Sequence, residues 1–491
     1  MSDTVETKLF IGGAARPASD GGTYDIFNPA RPSELVGRAA AGTPDDVEAA
    51  MKAAHRAFPA WAALSYAERA EMLRKVAAAI TQDMEEVEAR ARLFTREHGK
   101  IVFETRLEIS RLGERFLQCA NYADRLEQDE HIKEAPNDTI ITRQPRGVAA
   151  LVVPWNWPLA ILGAKLPQAL MAGNTVVVKP SANSALAPAM TLSRIAEMLP
   201  PGVVNIVTGS ASRIGDAIIG HPLVRFVNFT GSVDVGRHVM KVAAENITPV
   251  TLELGGNDAG IVCHDADLTG DVFQRLYRAS FMSTGQICYA LKRLYVHKSR
   301  YDEVVAGLRA VVDAQVIGDG LLPETTMGPM NNAKQLKVVA NMIAEARAAG
   351  QDVHELGQVP DQELYQKGYF QRPVLVLNAD VSLSVVRKEQ FGPILPIIPF
   401  ETEAEAIAMA NDDPFGLASS IWTADTQRAV ALARKIEAGY TFVNAHGPSA
   451  MDNNGPFGGF KKSGIGRNFG YEGVTQFQGL HSIAGGPGTI L

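Results

Sequence analysis

The spacing of apolar positions divides the chain into helical and alternating stretches. Between residues 44 and 127 it is helical throughout. Asp45 and Asp46 precede an Ala-rich amphipathic run to Phe58, and a second long run from Tyr66 sets its apolar positions among Glu and Arg. From 128 to 145 the character changes. Thr139-Ile140-Ile141-Thr142 alternates as a strand does, between Pro136-Asn137 and Pro145. An isolated hairpin cannot stabilise itself, so this segment is expected to pair with the C-terminal tail or with a neighbouring subunit. Beyond 147, apolar strands are expected near 148–153, 175–179, 203–207, 224–229 and 249–253. Helical runs lie between them, such as Ala185 to Met198 and Val233 to Glu245. This alternation predicts a parallel, helix-covered sheet with right-handed crossovers. A second α/β pattern follows residue 255: a helix over 268–280, a segment around Cys288, a strand over 293–297 and a helix over 301–315. Strands near 374–378 and 394–399, a Gly-rich region at 455–470 and an apolar tail complete the chain.

Composition narrows the class. A chain of 491 residues has room for two or three domains, and 46% hydrophobic with 21% charged residues is ordinary for a globular protein. A net charge of -7 and a pI near 5.9 give no electrostatic reason to expect nucleic acid as a partner. Cys119, Cys263 and Cys288 are too few and too scattered for a disulfide framework or a zinc site, so no metal is expected and a reducing compartment is. Gly147 to Ala164 carries no charge over about the length of a membrane span. Pro154, Asn156 and Pro158 interrupt it, so it reads as a buried strand, a tight loop and a helix start. The first residues lack a basic segment followed by an apolar one. A soluble cytoplasmic protein with no membrane partner is expected.

Four segments carry candidate chemistry. A lone cysteine is more often core than nucleophile, but Cys288 follows Gly285-Gln286 in small, polar surroundings that suit a loop. There a nearby cation or helix N-terminus is expected to lower the thiol pKa. Cys119 and Cys263 read as inert core. Glu253, in Thr251-Leu252-Glu253-Leu254-Gly255-Gly256, is either a surface position on an edge strand or a carboxylate raised by burial until it serves as a general base. Asn156, in Val153-Pro154-Trp155-Asn156-Trp157-Pro158, either stabilises a turn or donates to a developing oxyanion. For a cofactor, Lys179 ends a strand at the carboxyl edge of the sheet. Thr230-Gly231-Ser232 turns from a strand into a helix with Ser232 as its expected N-cap, a place that attracts phosphate. No G-x-G-x-x-G fingerprint occurs.

Together these segments resemble the aldehyde dehydrogenase family over almost the whole chain. F-x-x-x-G-Q-x-C-x-A, L-E-L-G-G, P-W-N-W-P and F-T-G-S-x-x-x-G stand in the family's order. Glu389-Gln390-Phe391-Gly392-Pro393 and the run from Pro456 to Arg467 supply two more motifs. The resemblance implies an α/β fold of two Rossmann-like domains and a small bridging or oligomerisation sheet. Residues 1–122 and 146–254 would bind the dinucleotide, 255–469 would form the catalytic domain, and 123–145 with 470–491 would bridge subunits of a homodimer or homotetramer.

By the same resemblance, Cys288 is the nucleophile, Glu253 the base that activates water, and Asn156 with the Cys288 N–H the oxyanion hole. NAD or NADP would meet Trp155, Lys179, Ser181, Ala182, Gly231, Ser232, Leu254, Glu389 and Phe391. Trp157, Met282, Ile287, Tyr289 and Phe457 would line an apolar entrance with no Arg or Lys to clamp a carboxylate, which favours aromatic or medium-chain aldehydes. The chain departs from the family at Ser283, where Asn is common, at Asn257 for Lys and at Asn468 for Glu. Ala182 stands where many NAD-using relatives have Glu, so either cofactor is expected to serve. Two other readings are a catalytically silent member of the fold and a coenzyme A-acylating dehydrogenase. The first is opposed by the complete Cys288, Glu253 and Asn156 set, and the second by Glu253.

Overall fold

The five strands expected after residue 147 form the parallel centre of one eight-stranded sheet in the computed structural model, which describes residues 4–134, 137–486 and 489–490. Met1–Asp3, Pro136 and Leu491, on which parts of the terminal and 128–145 readings rest, lie outside those residues. The central strands run Val250–Glu253, Val224–Thr230, Val148–Val152, Thr175–Lys179 and Val204–Ile206, each parallel to its neighbour. Their near-continuous Val, Ile and Ala content follows from burial on both faces. Ala149, Leu151, Val176 and Val178 pack on one side, where the helices Tyr66–Thr81, Val102–Ala120 and Leu186–Glu197 lie. Val148, Ala150, Val177 and Val227 pack on the other, against Pro44–Ala62, Ala211–Ile219 and Val233–Ala244. Short antiparallel strands extend both edges, Leu9–Ile11 with Ala14–Arg16 on one and Gly464–Ile465 on the other.

The strand order creates the site. The chain enters at Val148–Val152, adds two strands on one side, then crosses over to add Val224–Thr230 and Val250–Glu253 on the other. Where the direction of addition reverses, neighbouring loops diverge and leave a crevice beyond the carboxyl ends of the strands. The loop Val153–Trp157 and the turn Gly231–Ser232 border that crevice. Gly147 to Ala164 is a buried strand, a loop and the helix Pro158–Gly163. Among the described residues no helix is long and apolar enough to cross a membrane.

A second sheet of seven strands has the order Asp352–Glu355, Val374–Leu377, Ile394–Phe400, Leu291–His297, Asp258–Val262, Ala418–Trp422 and Tyr440–Val443. All neighbours are parallel except the first pair. The last two strands escape the sequence reading. Ala418-Ser419-Ser420 has none of the branched apolar residues that mark a strand, because small residues fit between closely packed neighbours. The segment 128–145 pairs as expected with the tail, Asn137–Pro145 lying antiparallel to Gln478–Gly485 and to Glu130–Glu134.

Candidate active site

Cys288 follows the helix Val272–Phe281 through a turn of unusual backbone. Ser283 (φ 54°), Thr284 (φ 57°) and Gly285 (φ 70°) are all left-handed. A Cβ on Gly285 would stand 2.3 Å from the Gly392 carbonyl, so only glycine fits there. Buried hydrogen bonds hold the turn. Ser283 N–H donates to Glu104 Oε1 at 2.7 Å, Thr284 Oγ1 to the Gly328 carbonyl at 2.9 Å, and Lys292 Nζ to the Gly285 carbonyl at 2.6 Å. Cys288 is half-buried at the end of this turn, while Cys119 and Cys263 are buried in the core.

Two cavities meet at the cysteine. A narrow tunnel of about 70 Å³ is walled by Trp157, Ile287, Tyr289 and Phe457, with Phe469 and Ile161 beside them. A wider, more polar cleft of about 240 Å³ is walled by Trp155, Gly231, Ser232, Leu254, Glu389 and Phe391. Asn156, Thr230 and Cys288 are the three residues that border both, so chemistry at Cys288 can draw on a ligand from either side. Met282 stands behind the tunnel wall, against the Trp157–Ile287–Ala290 cluster. One expectation is corrected. Arg111, from the helix Val102–Ala120, lines the tunnel, so the entrance does hold a cation. It was missed because helical periodicity places Arg111 on a solvated face, and nothing local tells that this face borders a cavity.

Glu253 ends the strand Val250–Glu253 and lines the tunnel, 5% exposed. Among the described residues its Oε1 has no hydrogen-bond partner, and burial raises the carboxyl to about 8 against the opposing pull of Lys165 and Arg467. The Cys288 thiol is pushed well above its usual range, first by burial and then by the charges of Glu253, Glu389 and Asp258. This corrects the expected lowering by a nearby cation. Tyr289 N–H opposes the rise through a hydrogen bond to the sulfur. Asn156 donates one amide hydrogen to the Gln286 carbonyl at 3.0 Å, which fixes the side chain and leaves its second N–H available.

Sequence reasoning also missed Lys165. It is fully buried, donates to Asn228 Oδ1, and is lowered by burial to about 7. Asn228 in turn donates to Asn468 Oδ1 at 2.9 Å, and Asn468 lines the tunnel. The available signal was a lysine directly after the uncharged run that ends at Ala164.

The cleft suits an elongated anion that ends in a ribose. At one end Ser232 caps the helix Val233–Ala244, its hydroxyl accepting from Val235 N–H at 3.4 Å, so the helix presents its N-terminus. At the other, Glu389 is held by Gly256 N–H at 3.2 Å and raised by burial to about 7. A Cβ on Gly255 would meet Glu389 Oε2 at 2.3 Å, so a side chain there would push that carboxylate aside. The Trp155 and Phe391 rings meet edge to face at 5.5 Å across the cleft. Lys179, Ser181 and Ala182 stand beside it rather than in its wall. Lys179 is paired in register with Val152, and its ammonium is lowered by burial to about 8. Arg213, in the helix Ala211–Ile219, is ion-paired with Asp20 at 2.5 Å, which occupies its charge.

Comparison with known proteins places this geometry among relatives. The model of the aldehyde dehydrogenase family matches residues 16–483. The chain is 36% identical over 482 residues to an NADP-dependent succinate-semialdehyde dehydrogenase of Escherichia coli K12, covering 97% of each protein. It is 35% identical to a lactaldehyde dehydrogenase of the same organism, over 97% of this chain and 98% of that one. A betaine aldehyde dehydrogenase of Staphylococcus aureus, solved with NAD+, superposes with a TM-score of 0.92 at 32% identity, covering 99% of this chain and 96% of the other.

Proposed function

The chain belongs to the aldehyde dehydrogenase family, and from that premise we propose that it oxidises an aldehyde to the carboxylic acid, with NAD or NADP as acceptor, through an adduct on Cys288. The meeting of tunnel and cleft at Cys288, Asn156 and Thr230 carries this reading, because aldehyde and cofactor can reach one sulfur from opposite sides. In the cleft, Gly231 and Ser232 would hold the pyrophosphate and Glu389 the nicotinamide ribose, with Trp155, Leu254 and Phe391 flanking it, while Lys179 and Ser181, outside the cleft wall, would meet the adenosine ribose. Ala182 leaves the ribose 2′ position without a carboxylate, so both cofactors are accepted.

The Cys288 thiol gives up its proton to solvent water, and the thiolate so formed adds to the aldehyde carbon. The oxyanion so formed takes the free N–H of Asn156 and the backbone N–H of Cys288. The bound cofactor supplies the acceptor for the electron pair of the C–H bond. A thioester remains on Cys288. Glu253 takes a proton from water as the water attacks that thioester, and the acid leaves with the sulfur restored. A carboxyl poised near 8 suits this task, being ionised in part at neutral pH and basic enough to remove the proton. The tunnel wall of Trp157, Ile161, Phe457 and Phe469 favours an aromatic or medium-chain apolar body. The exposed three-stranded sheet supports a homodimer or homotetramer.

Cys288→Ala should lose more than a hundredfold in rate while still binding cofactor by calorimetry. Glu253→Gln should keep a first-turnover burst of reduced cofactor and then stall, with an acyl adduct on Cys288 visible by intact mass. Cys288→Ala keeping more than about a hundredth of the wild-type activity would end this reading.

A further inference from the structure

Only two residues of the tunnel wall are charged, Glu253 and Arg111. Glu253 is buried, whereas Arg111 is half-buried between the exposed Ser110 and Glu114, so Arg111 stands where the tunnel opens to solvent. Among the described residues it has no hydrogen bond and no ion pair. Its neighbour one helical turn on, Arg115, is engaged, donating to Gln118 Oε1 at 3.2 Å and lying 5.3 Å from the centre of the Phe469 ring. Glu114, the carboxylate between them in sequence, is exposed and takes a hydrogen bond from Ser110 Oγ at 3.5 Å. Burial lowers the Arg115 guanidinium, and the like charge of Arg111 lowers it further. An unpaired guanidinium in an apolar wall, with a second cation one turn away, is a costly arrangement that an anion would relieve.

We propose that Arg111 binds a carboxylate at the end of the substrate remote from the aldehyde, so that the preferred substrates are aldehydes with an apolar body and a distal carboxylate. This rests on the reading of the tunnel as the aldehyde site. The planar, forked guanidinium matches a carboxylate with two parallel hydrogen bonds. The apolar stretch between the two ends of the substrate lies against Trp157, Ile161 and Phe457, which explains an apolar tunnel that ends in a cation.

The test compares charged and neutral partners of equal length: 4-carboxybenzaldehyde against its methyl ester, and 6-oxohexanoate against hexanal. The wild type should favour each acid on the order of ten- to a hundredfold in kcat/KM, the scale of one charge-assisted pair. That preference should shrink as salt is raised. Arg111→Met and Arg111→Gln should raise KM for the acids by a similar factor while leaving kcat/KM for the neutral aldehydes within about threefold, and Arg111→Lys should restore part of the loss. Equal use of acid and neutral aldehydes by the wild type, or an equal loss for both in Arg111→Met, would overturn the proposal while leaving the dehydrogenase reading intact. Oxidation of none of the four would bring down both.

Discussion

At the scale of single residues, Glu253 makes a prediction about pH. Its carboxyl titrates near 8 in the folded chain, against roughly 4.3 in an unfolded one. Between those values the folded state holds the extra proton, so this group's contribution to stability falls as pH rises. Glu253→Gln removes the burial cost of the charge. The variant should therefore be more stable than wild type at pH 8, by about 1 kcal/mol or more, with the difference vanishing toward pH 4 in denaturant titrations. The rate moves the other way: steady-state turnover should climb with pH and level off above about 8, and Glu253→Gln should lack that inflection. A second residue bears on the cofactor. A carboxylate about 5 Å from a 2′-phosphate, at an effective dielectric near 20, repels it by roughly 3 kcal/mol. Ala182→Glu should thus cut kcat/KM for NADP on the order of a hundredfold and spare NAD, measured side by side. The proposed role of Ala182 is open to a reading of the sequence because it rests on one missing group. The environment of Cys288 is not, since three of the charges around it, Glu253, Glu389 and Asp258, come from separate strands and loops.

At the scale of elements, the helix Val102–Ala120 holds the active site together. Glu104 accepts the Ser283 N–H of the cysteine turn, and Glu108 accepts the N–H groups of Leu159 at 2.6 Å and Ala160 at 3.1 Å, just after the Asn156 loop. Lys100 pairs with the other oxygen of Glu108 at 2.5 Å and lies 4.2 Å over the Trp157 ring. The Cys288 turn and the Asn156 loop are thus fixed to one rigid rod. The amphipathic pattern of this helix is plain, but the roles of Glu104 and Glu108 are not legible, because their partners include backbone groups far along the chain. The left-handed turn has a sequence trace that is legible only afterwards: the Asn common at position 283 tolerates that conformation better than Ser. Here the Ser283 hydroxyl is buried without a partner among the described residues, so the turn leans on Glu104. Glu104→Ala should lower kcat at least tenfold with KM nearly unchanged, and should destabilise the fold by about 1–3 kcal/mol through the unpaired Ser283 N–H. Glu104→Gln keeps an acceptor and should behave like wild type.

At the scale of the whole molecule, the five parallel strands of the first sheet are legible because burial on both faces writes continuous apolar runs, whereas its short edge strands Leu9–Ile11, Ala14–Arg16 and Gly464–Ile465 are not. The second was legible only where its strands are branched, and the N-terminal pairing of Val5–Thr7 and Thr23–Asn28 with Arg31–Ala40 was not, since those strands alternate weakly among polar residues. The tail was read as a partner for the 128–145 segment, and it is. On that sheet Leu480 is 67% exposed and Ile483 42% exposed, more apolar surface than a lone outer strand usually shows water. Light scattering should find a dimer or tetramer, and Leu480→Lys with Ile483→Lys should shift it toward monomer. A wild type that is monomeric at micromolar concentration would remove the assembly from the account. The partition at Asn156, Thr230 and Cys288 has a consequence of another kind, one of traffic. With a separate doorway on each side of the sulfur, neither visitor must wait for the other to clear the hall. On the proposed mechanism the spent cofactor can back out while the acyl group is still attached, and the freed acid departs through the opposite door. Arrival and departure are therefore ordered by the chemistry at the shared wall and not by queueing at an entrance.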